Sequence, residues 1–195
     1  MTRRVSKPLA VLAAILALAA CGKGPAEAAL KAANQAFAAV KDEAMQFAPN
    51  DAKAVQGALA AAQVSFEKGD YKAAASAALE ASGQVQSLAS ASAARKAELT
   101  TSWTELSAGL PKMMTAVKSR LDILSQSKSL PANLDKATLE SAQAGLAAAT
   151  QTWQEATQAA QAGRLVDAMA NANAVKTRTV EIMGALGMPV PAAAR

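Results

Sequence analysis

The chain has 195 residues, with 20 basic and 15 acidic side chains, no histidine and one cysteine. Without histidine it lacks the commonest general base and zinc ligand, and a single cysteine excludes an intrachain disulfide and a thiolate metal cluster. Apolar residues make up 52% of the chain but aromatic residues only 3%, because alanine supplies most of the apolar set. Alanine favours helix and buries little area, so this composition predicts an all-α, elongated helical bundle whose helices approach closely.

The start of the chain is typical of a secretory signal peptide. Arg3, Arg4 and Lys7 give a positive beginning, and residues 9–20 form an apolar run without a charge. A membrane-spanning helix needs about 20 apolar residues, so this run is too short to span and cleavage is expected. Removal of residues 1–20 takes away three of the 20 basic side chains and leaves 17 basic and 15 acidic ones. The cation clusters that bind nucleic acid are therefore not predicted.

The apolar run closes with Leu18, Ala19, Ala20 and Cys21, which places two small residues directly before the only cysteine. This stretch resembles the lipobox of bacterial lipoproteins. The resemblance implies that a peptidase cuts before Cys21, that acyl chains such as palmitate modify its sulfur and amino group, and that they hold the protein on a membrane. Gly22 follows, where aspartate would signal inner-membrane retention in enterobacteria, so an outer-membrane address facing the periplasm is implied. The alternative is an ordinary signal peptide cut after the same alanines.

The first helical unit is expected over residues 26–108, after a linker. Residues 21–25 contain two glycines and a proline and are predicted to form that linker. The first helix is predicted over residues 26–47, where apolar residues recur at helical spacing. An Ala-Pro pair ends it, and Asn50 or Asp51 is the predicted cap of the second helix.

The third helix has the longest regular pattern in the chain. Gly69 is predicted to end the second helix, and Asp70 to cap the third. From Tyr71 onward apolar residues recur at alternating steps of three and four, which predicts one long central helix to about Ala108 with a coiled-coil-like stripe. A break near a possible capping box at residues 102–105 is an alternative.

The second helical unit is expected over residues 109–188, because Gly109 and Pro111 favour a helix end followed by a new helix. A kink in one continuous helix is the alternative. This new helix is predicted to reach about Ser127.

Two further helices are predicted on either side of Gly163. The first of them has a predicted cap at Asn133 or Asp135. Residues 189–195, which include two prolines, are predicted to form a flexible tail.

The two units share an order of residues that recurs 94 positions apart. The corresponding residues are Ala62, Phe66, Gly69, Tyr71, Ala74 and Ala78 in the first and Ala156, Ala160, Gly163, Leu165, Ala168 and Ala172 in the second. This internal repeat predicts two related three-helix units. Chance similarity between alanine-rich helices is the alternative.

The stretch Gly69, Asp70 and Tyr71, with Ala74 three residues further on, resembles the turn between the helices of tetratricopeptide repeats. That resemblance implies an adapter. With the Ala-Pro pair upstream, the same stretch also resembles an uncharacterised family of alanine-rich helical domains in bacterial envelope lipoproteins. The second resemblance implies an envelope address and no activity.

No residue pattern for catalysis is assembled. Paired carboxylates with divided acid and base roles, a serine nucleophile motif and a glycine-rich phosphate loop are all missing from the sequence. The sequence therefore predicts a non-enzymatic protein without a cofactor or metal. Trp103 and Trp153 are interpreted either as walls of a ligand pocket between helices or as core side chains.

The function predicted from these features is that of a lipid-anchored protein of the cell envelope that acts as a structural or protein-interaction module. Its predicted partners are the membrane, through Cys21, and an envelope protein or a second copy of the chain. Two alternatives stay open. One is a carrier that binds a lipid or another small apolar ligand between helices, and the other is a tetratricopeptide-like adapter.

Overall fold

The computed structural model describes residues 8–132 and 134–191, with side chains from residue 22 onward. Within this range the chain forms five helices and no strand. They are α1 (Pro8–Phe47), α2 (Pro49–Glu67), α3 (Tyr71–Gln126), α4 (Lys136–Gln161) and α5 (Leu165–Ala185). The predicted all-α fold is confirmed.

The chain divides into two compact units between Arg95 and Lys96. α3 crosses this point, so its first part belongs to unit 1 and its second part to unit 2. The sequence places the boundary later, after Ala108, where glycine and proline suggest a break. The observed boundary depends on which helices the side chains of α3 pack against, and local turn chemistry carries no information about that.

Alanine fills half of the buried positions of unit 1, which α1, α2 and the first part of α3 form. Its core has eight buried alanines and only six larger side chains. The larger ones are Leu30, Phe37, Val55, Leu59, Val85 and Leu88. Because each alanine makes few contacts, the stability of this unit depends on many small dispersion contacts between closely placed helices.

Unit 2 is built from the second part of α3, α4 and α5, and its buried side chains are larger. Its core residues on α3 are Leu110, Met114, Val117, Leu121 and Leu124. Those on α5 are Ala172, Val175, Ile182 and Met183, with Leu186 just beyond its end. α4 faces them mainly with small residues, which include Ala142 and Ala149.

The residues after Cys21 are helical, and Pro25 lies inside α1. The prediction of a linker over residues 21–25 is corrected accordingly, since helix runs without interruption from Cys21 into the packed part of α1. A Cβ atom on Gly22 would lie 3.5 Å from Cβ of Tyr71, which is ordinary van der Waals contact. Packing of this turn beside the start of α3 offsets the hydrogen bond that the proline cannot donate.

α3 continues through Pro111, so the predicted helix end at Gly109 is wrong and the alternative of one continuous helix is right. A proline inside a helix costs about 3 kcal/mol, because the carbonyl four residues earlier loses its partner. Leu110, Met114 and Val117 are buried on both sides of it. Burying side chains of this size contributes about 1.5–3 kcal/mol each, so packing outweighs the proline.

Aspartate side chains cap α3 and α4, as the sequence predicts. The backbone N–H of Ala73 donates to Asp70 Oδ1 at 3.1 Å, and that of Thr138 donates to Asp135 Oδ1 at 2.7 Å. Each bond satisfies an N–H of the first turn that has no partner within the helix. Asn133, the other cap predicted for α4, lies outside the described residues.

α2 begins without a side-chain cap from any described residue. Ala48 occupies the cap position, and Pro49 lies in the first turn. The prediction of a cap at Asn50 or Asp51 is therefore wrong. Proline has the backbone angle that a first helical residue needs, so the helix begins before either polar residue.

The turns at Gly69 and Gly163 have the same hydrogen bonds. The two glycines have φ values of 81° and 75°, a left-handed conformation that only glycine adopts without strain. In each turn the glycine N–H donates to the carbonyl three residues earlier, and the next N–H donates to the carbonyl five residues earlier. This pair of bonds defines the Schellman motif.

The buried positions of α3 and α5 also agree at the spacing of 94 residues. Six pairs are buried in both units: Ala74 and Ala168, Ala78 and Ala172, Ala81 and Val175, Val85 and Thr179, Leu88 and Ile182, and Ser92 and Leu186. The related helices therefore bury the same face. Common origin of the two units stays a prediction, while the equivalence of their turns and buried faces is a structural fact.

Replacing Thr179 by valine is expected to stabilise the protein. Its hydroxyl is fully buried and has no hydrogen-bond partner among the described residues, whereas the equivalent residue of unit 1 is Val85. A buried hydroxyl without a partner costs about 1–3 kcal/mol. Thr179→Val should therefore raise the free energy of unfolding in urea by about 1 kcal/mol or more, and Val85→Thr should lower it by a similar amount. A loss of stability in Thr179→Val would contradict the buried, unbonded hydroxyl.

Candidate functional site

Unit 2 has an open groove of about 390 Å³ between α4 and α5. Its lining residues on α4 are Ala137, Thr138, Ser141 and Ala142, with the cap Asp135 just before the helix. Those on α5 are Arg178, Glu181, Ile182 and Ala185. Apolar residues thus lie beside polar and charged ones, a combination that suits a polypeptide segment better than a purely apolar ligand.

Among the described residues that line this groove, Arg178 is the only cation. Its Nη1 atom lies 3.2 Å from Oε2 of Glu181, and both side chains are about half exposed, so the pair adds little stability. A Cβ atom on Gly145 would lie 3.0 Å from Nε of Arg178 and 3.1 Å from Cδ1 of Ile182. The missing side chain at Gly145 therefore lets the guanidinium approach the backbone of α4. A guanidinium can bind a carboxylate of a partner through two parallel hydrogen bonds.

Asp135 lies at one end of the same groove and caps α4. Hydrogen bonds from the side chain and the backbone N–H of Thr138 lower the pKa of its carboxyl below the usual 3.8. These donors, and the positive end of the α4 dipole, favour the charged form. Asp135 therefore keeps its charge at any pH near neutrality.

The cap makes a pH-dependent contribution to stability. Because the folded state lowers the pKa of Asp135, the stabilisation is present above the ordinary value of 3.8 and is lost as the pH falls through the folded-state pKa. Asp135→Asn keeps an oxygen atom that can accept the capping hydrogen bond, but it removes the carboxyl group that titrates. The difference in melting temperature between wild type and Asp135→Asn, followed by circular dichroism, should shrink below pH 3.8. A difference that stays constant down to pH 2, about two pH units lower, would contradict the charged cap.

Unit 1 has a comparable groove of about 590 Å³ between α2 and α3. Its lining residues are Asp51, Ala54 and Val55 on α2, and Glu80, Gly83, Gln84, Ser87, Leu88 and Ala91 on α3. The lining contains small and apolar residues and two carboxylates. Both grooves therefore contain two carboxylates, and only the groove of unit 2 also contains an arginine.

The two grooves occupy equivalent places. Gln84, Ser87, Leu88 and Ala91 line the groove of unit 1, and the residues 94 positions later, Arg178, Glu181, Ile182 and Ala185, line that of unit 2. The apolar members keep their type, since leucine corresponds to isoleucine and alanine to alanine. The polar members change from neutral to charged. The position of the groove is thus repeated, while its volume and its polar chemistry differ.

Trp103 and Trp153 stack on each other in unit 2. Their ring centroids lie 5.5 Å apart, and the ring planes differ by 18°. Both rings are partly buried and pack against a cluster that includes Leu110 and Val175. The facing ring surfaces contact each other, which leaves no room for a ligand between them, and neither ring lines the two grooves. This geometry agrees with the interpretation of the tryptophans as core side chains.

The backbone of Cys21 lies within α1, and its side chain is outside the described part. The charged start of the predicted signal peptide, with Arg3, Arg4 and Lys7, also lies outside the described residues. Among the residues that are described, no helix is long and apolar enough to cross a membrane.

Within the described ranges, no three histidine, cysteine, aspartate or glutamate side chains come together as a metal site would require. Four ion pairs each join residues three or four apart in the sequence: Lys118 with Asp122, Lys136 with Glu140, Arg164 with Asp167 and Arg178 with Glu181.

Searches of protein-family models, curated proteins and solved structures found no match to the chain.

The sequence patterns do not single out the residues of the two grooves. These residues are mostly exposed and follow no motif, and which of them meet depends on how neighbouring helices pair. One signal does point to them. Extending the 94-residue correspondence beyond Ala78 and Ala172 pairs Ser87 with Glu181, on the side of each helix that borders the groove.

Proposed function

We propose that the protein is a non-enzymatic interaction module that acyl chains on Cys21 hold on a membrane of the bacterial cell envelope. The single observation that carries the interaction role is the pair of equivalent open grooves, at the α2–α3 pair and at the α4–α5 pair. Each groove combines apolar contacts with a few charged groups, as protein interfaces do. The partner is an envelope protein or a second copy of this chain.

The anchor rests on Leu18, Ala19, Ala20 and Cys21, and the local structure is compatible with it. After a cut before Cys21, the carbonyl that Pro25 leaves without an N–H donor would be that of Cys21 itself, at the very end of the remaining helix, where this loss disturbs no other turn. The packed part of α1 would then begin almost at the anchor.

A photo-crosslinking residue tests the grooves in the native envelope. We would place it at Ser87 or Glu181, which are equivalent groove residues, and at Ser76 or Ala170, which are equivalent exposed residues outside the grooves. Crosslinked adducts at the two groove positions, absent at the two controls, support the proposal. Mass spectrometry of the adduct separates a second copy from a different protein. Equal yields at all four positions, or none, would refute an interaction through the grooves.

Intact-mass analysis of the protein from its native envelope tests the anchor separately. A chain that begins at Cys21 and carries acyl mass supports it. An unmodified chain cut at another alanine would overturn the membrane address. The carrier alternative has no comparable observation in its favour, because its two candidate wall residues, Trp103 and Trp153, contact each other.

A further inference from the structure

One end of unit 1 adjoins Cys21 directly. A Cβ atom on Gly22, the next residue, would lie 3.5 Å from Cβ of Tyr71, the first residue of α3. The end of α2 and the Gly69 turn lie here as well, because the ring of Phe66 contacts that of Tyr71. We call this the anchor-side surface, and it comprises residues 22–23 and 66–72.

The anchor-side surface has the side chains that interfaces with lipid favour. Phe66 and Tyr71 form an edge-to-face pair with centroids 5.2 Å apart, and both rings are partly exposed. Lys23, Lys68 and Lys72 are exposed around them. Aromatic rings at the headgroup level and lysines beside anionic lipid are the usual interfacial contacts.

The two acids of this surface, Glu67 and Asp70, each accept a hydrogen bond from a neutral donor and keep their charge. Glu67 accepts a hydrogen bond from Gln63 at 3.0 Å, and Asp70 accepts one from the backbone N–H of Ala73 at 3.1 Å. Asp70 also lies at the N-terminus of α3, whose positive dipole end partly offsets its charge. The three lysines outnumber the two acids, so this surface has a net positive charge toward an anionic layer.

We propose that the anchor-side surface of unit 1 lies directly on the anionic lipid layer that holds the anchor, so that the unit stands on the membrane without a spacer. The inference rests on the proposed acylation of Cys21. The continuous helix after Cys21 carries it, since α1 rises only about 1.5 Å per residue and a Cβ atom added at Gly22 would lie 3.5 Å from Cβ of Tyr71 in α3. The opposite end of unit 1, near Lys41 and Lys53, is then at least about 20 Å from the lipid.

The only cysteine permits a test that does not depend on native acylation. The chain from Cys21 onward is coupled through its thiol to a maleimide lipid, in vesicles of phosphatidylethanolamine and phosphatidylglycerol. A water-soluble acylating reagent then labels the lysines, and mass spectrometry measures each one. Labelling of Lys68 and Lys72 should fall several-fold relative to uncoupled protein, whereas Lys41 and Lys53 should not change. Equal labelling of all four lysines would overturn the inference.

A matched pair of exposed variants tests the role of charge. Lys68→Glu should weaken the protection of Lys72 on the anionic vesicles, because each lysine shifts contact with such a surface about fivefold. Lys53→Glu, at the other end, should leave it unchanged. If both variants act alike, the surface is not in contact with lipid. A native protein without acyl mass would overturn the proposed anchor alone, since the coupled sample does not depend on it.

Discussion

Replacing Cys21 by alanine is expected to abolish acylation and to leave residues 1–20 attached. By resemblance to lipoproteins, the peptidase acts only after the sulfur is modified, so the variant should have a larger peptide mass and no acyl mass. Each buried methylene contributes about 0.8 kcal/mol, and two or three chains are needed for firm anchoring. Wild-type protein should therefore need detergent for extraction. Intact-mass analysis of both proteins, purified from membranes, checks the expectation.

Gly22→Asp is the matched control for Cys21→Ala. It leaves the cysteine in place, and a side chain at this position has ordinary van der Waals room beside Tyr71. The variant should still be acylated, and in an enterobacterial host it should move from the outer to the inner membrane. If wild type and Cys21→Ala are cut at the same position and neither carries acyl mass, an ordinary signal peptide explains the sequence and the anchor is excluded.

The turns and two of the caps were predictable because local chemistry determines them. Gly69 and Gly163 adopt positive φ, and Asp70 and Asp135 accept bonds from the first turns of α3 and α4. Such features depend on residues within one turn of each other, which a sequence displays directly. The buried stripe of α3 was predictable for the same reason, since its spacing alone determines which face is apolar.

The two internal prolines could not be predicted in the same way. Pro25 and Pro111 both carry a local signal for a break, and both lie inside helices. What decides the outcome is tertiary packing, at Gly22 beside Tyr71 in one case and around Leu110 in the other. The grooves share this dependence, because their residues come together only when two helices pair. The spacing of 94 residues is nevertheless visible in the sequence. It relates Ala78 to Ala172, and it also relates four lining residues of one groove to four of the other.

Neighbouring substitutions at Leu110 and Gly109 are expected to change stability in opposite directions. Leu110 is one of the largest fully buried side chains, with 1% of its surface exposed, in a protein whose cores are rich in alanine. Leu110→Ala removes that volume beside Met114 and Val175, so it should lower the free energy of unfolding by about 2–5 kcal/mol. Urea unfolding followed by circular dichroism measures the loss. A change below about 1 kcal/mol would mean that the site is not a packed core.

Gly109→Ala distinguishes a continuous α3 from a helix that ends before Pro111. In a continuous helix the glycine has ordinary helical angles, and an added Cβ atom meets nothing within 4 Å. Alanine should then raise the free energy of unfolding by about 0.5–1 kcal/mol, because it loses less backbone entropy on folding. At a helix end the same glycine would need positive φ, and alanine would be destabilising. A loss of stability in Gly109→Ala would therefore indicate that the helix ends before Pro111, as the local sequence suggests. It would also contradict the explanation that packing of Leu110 and Met114 keeps the helix continuous across the proline.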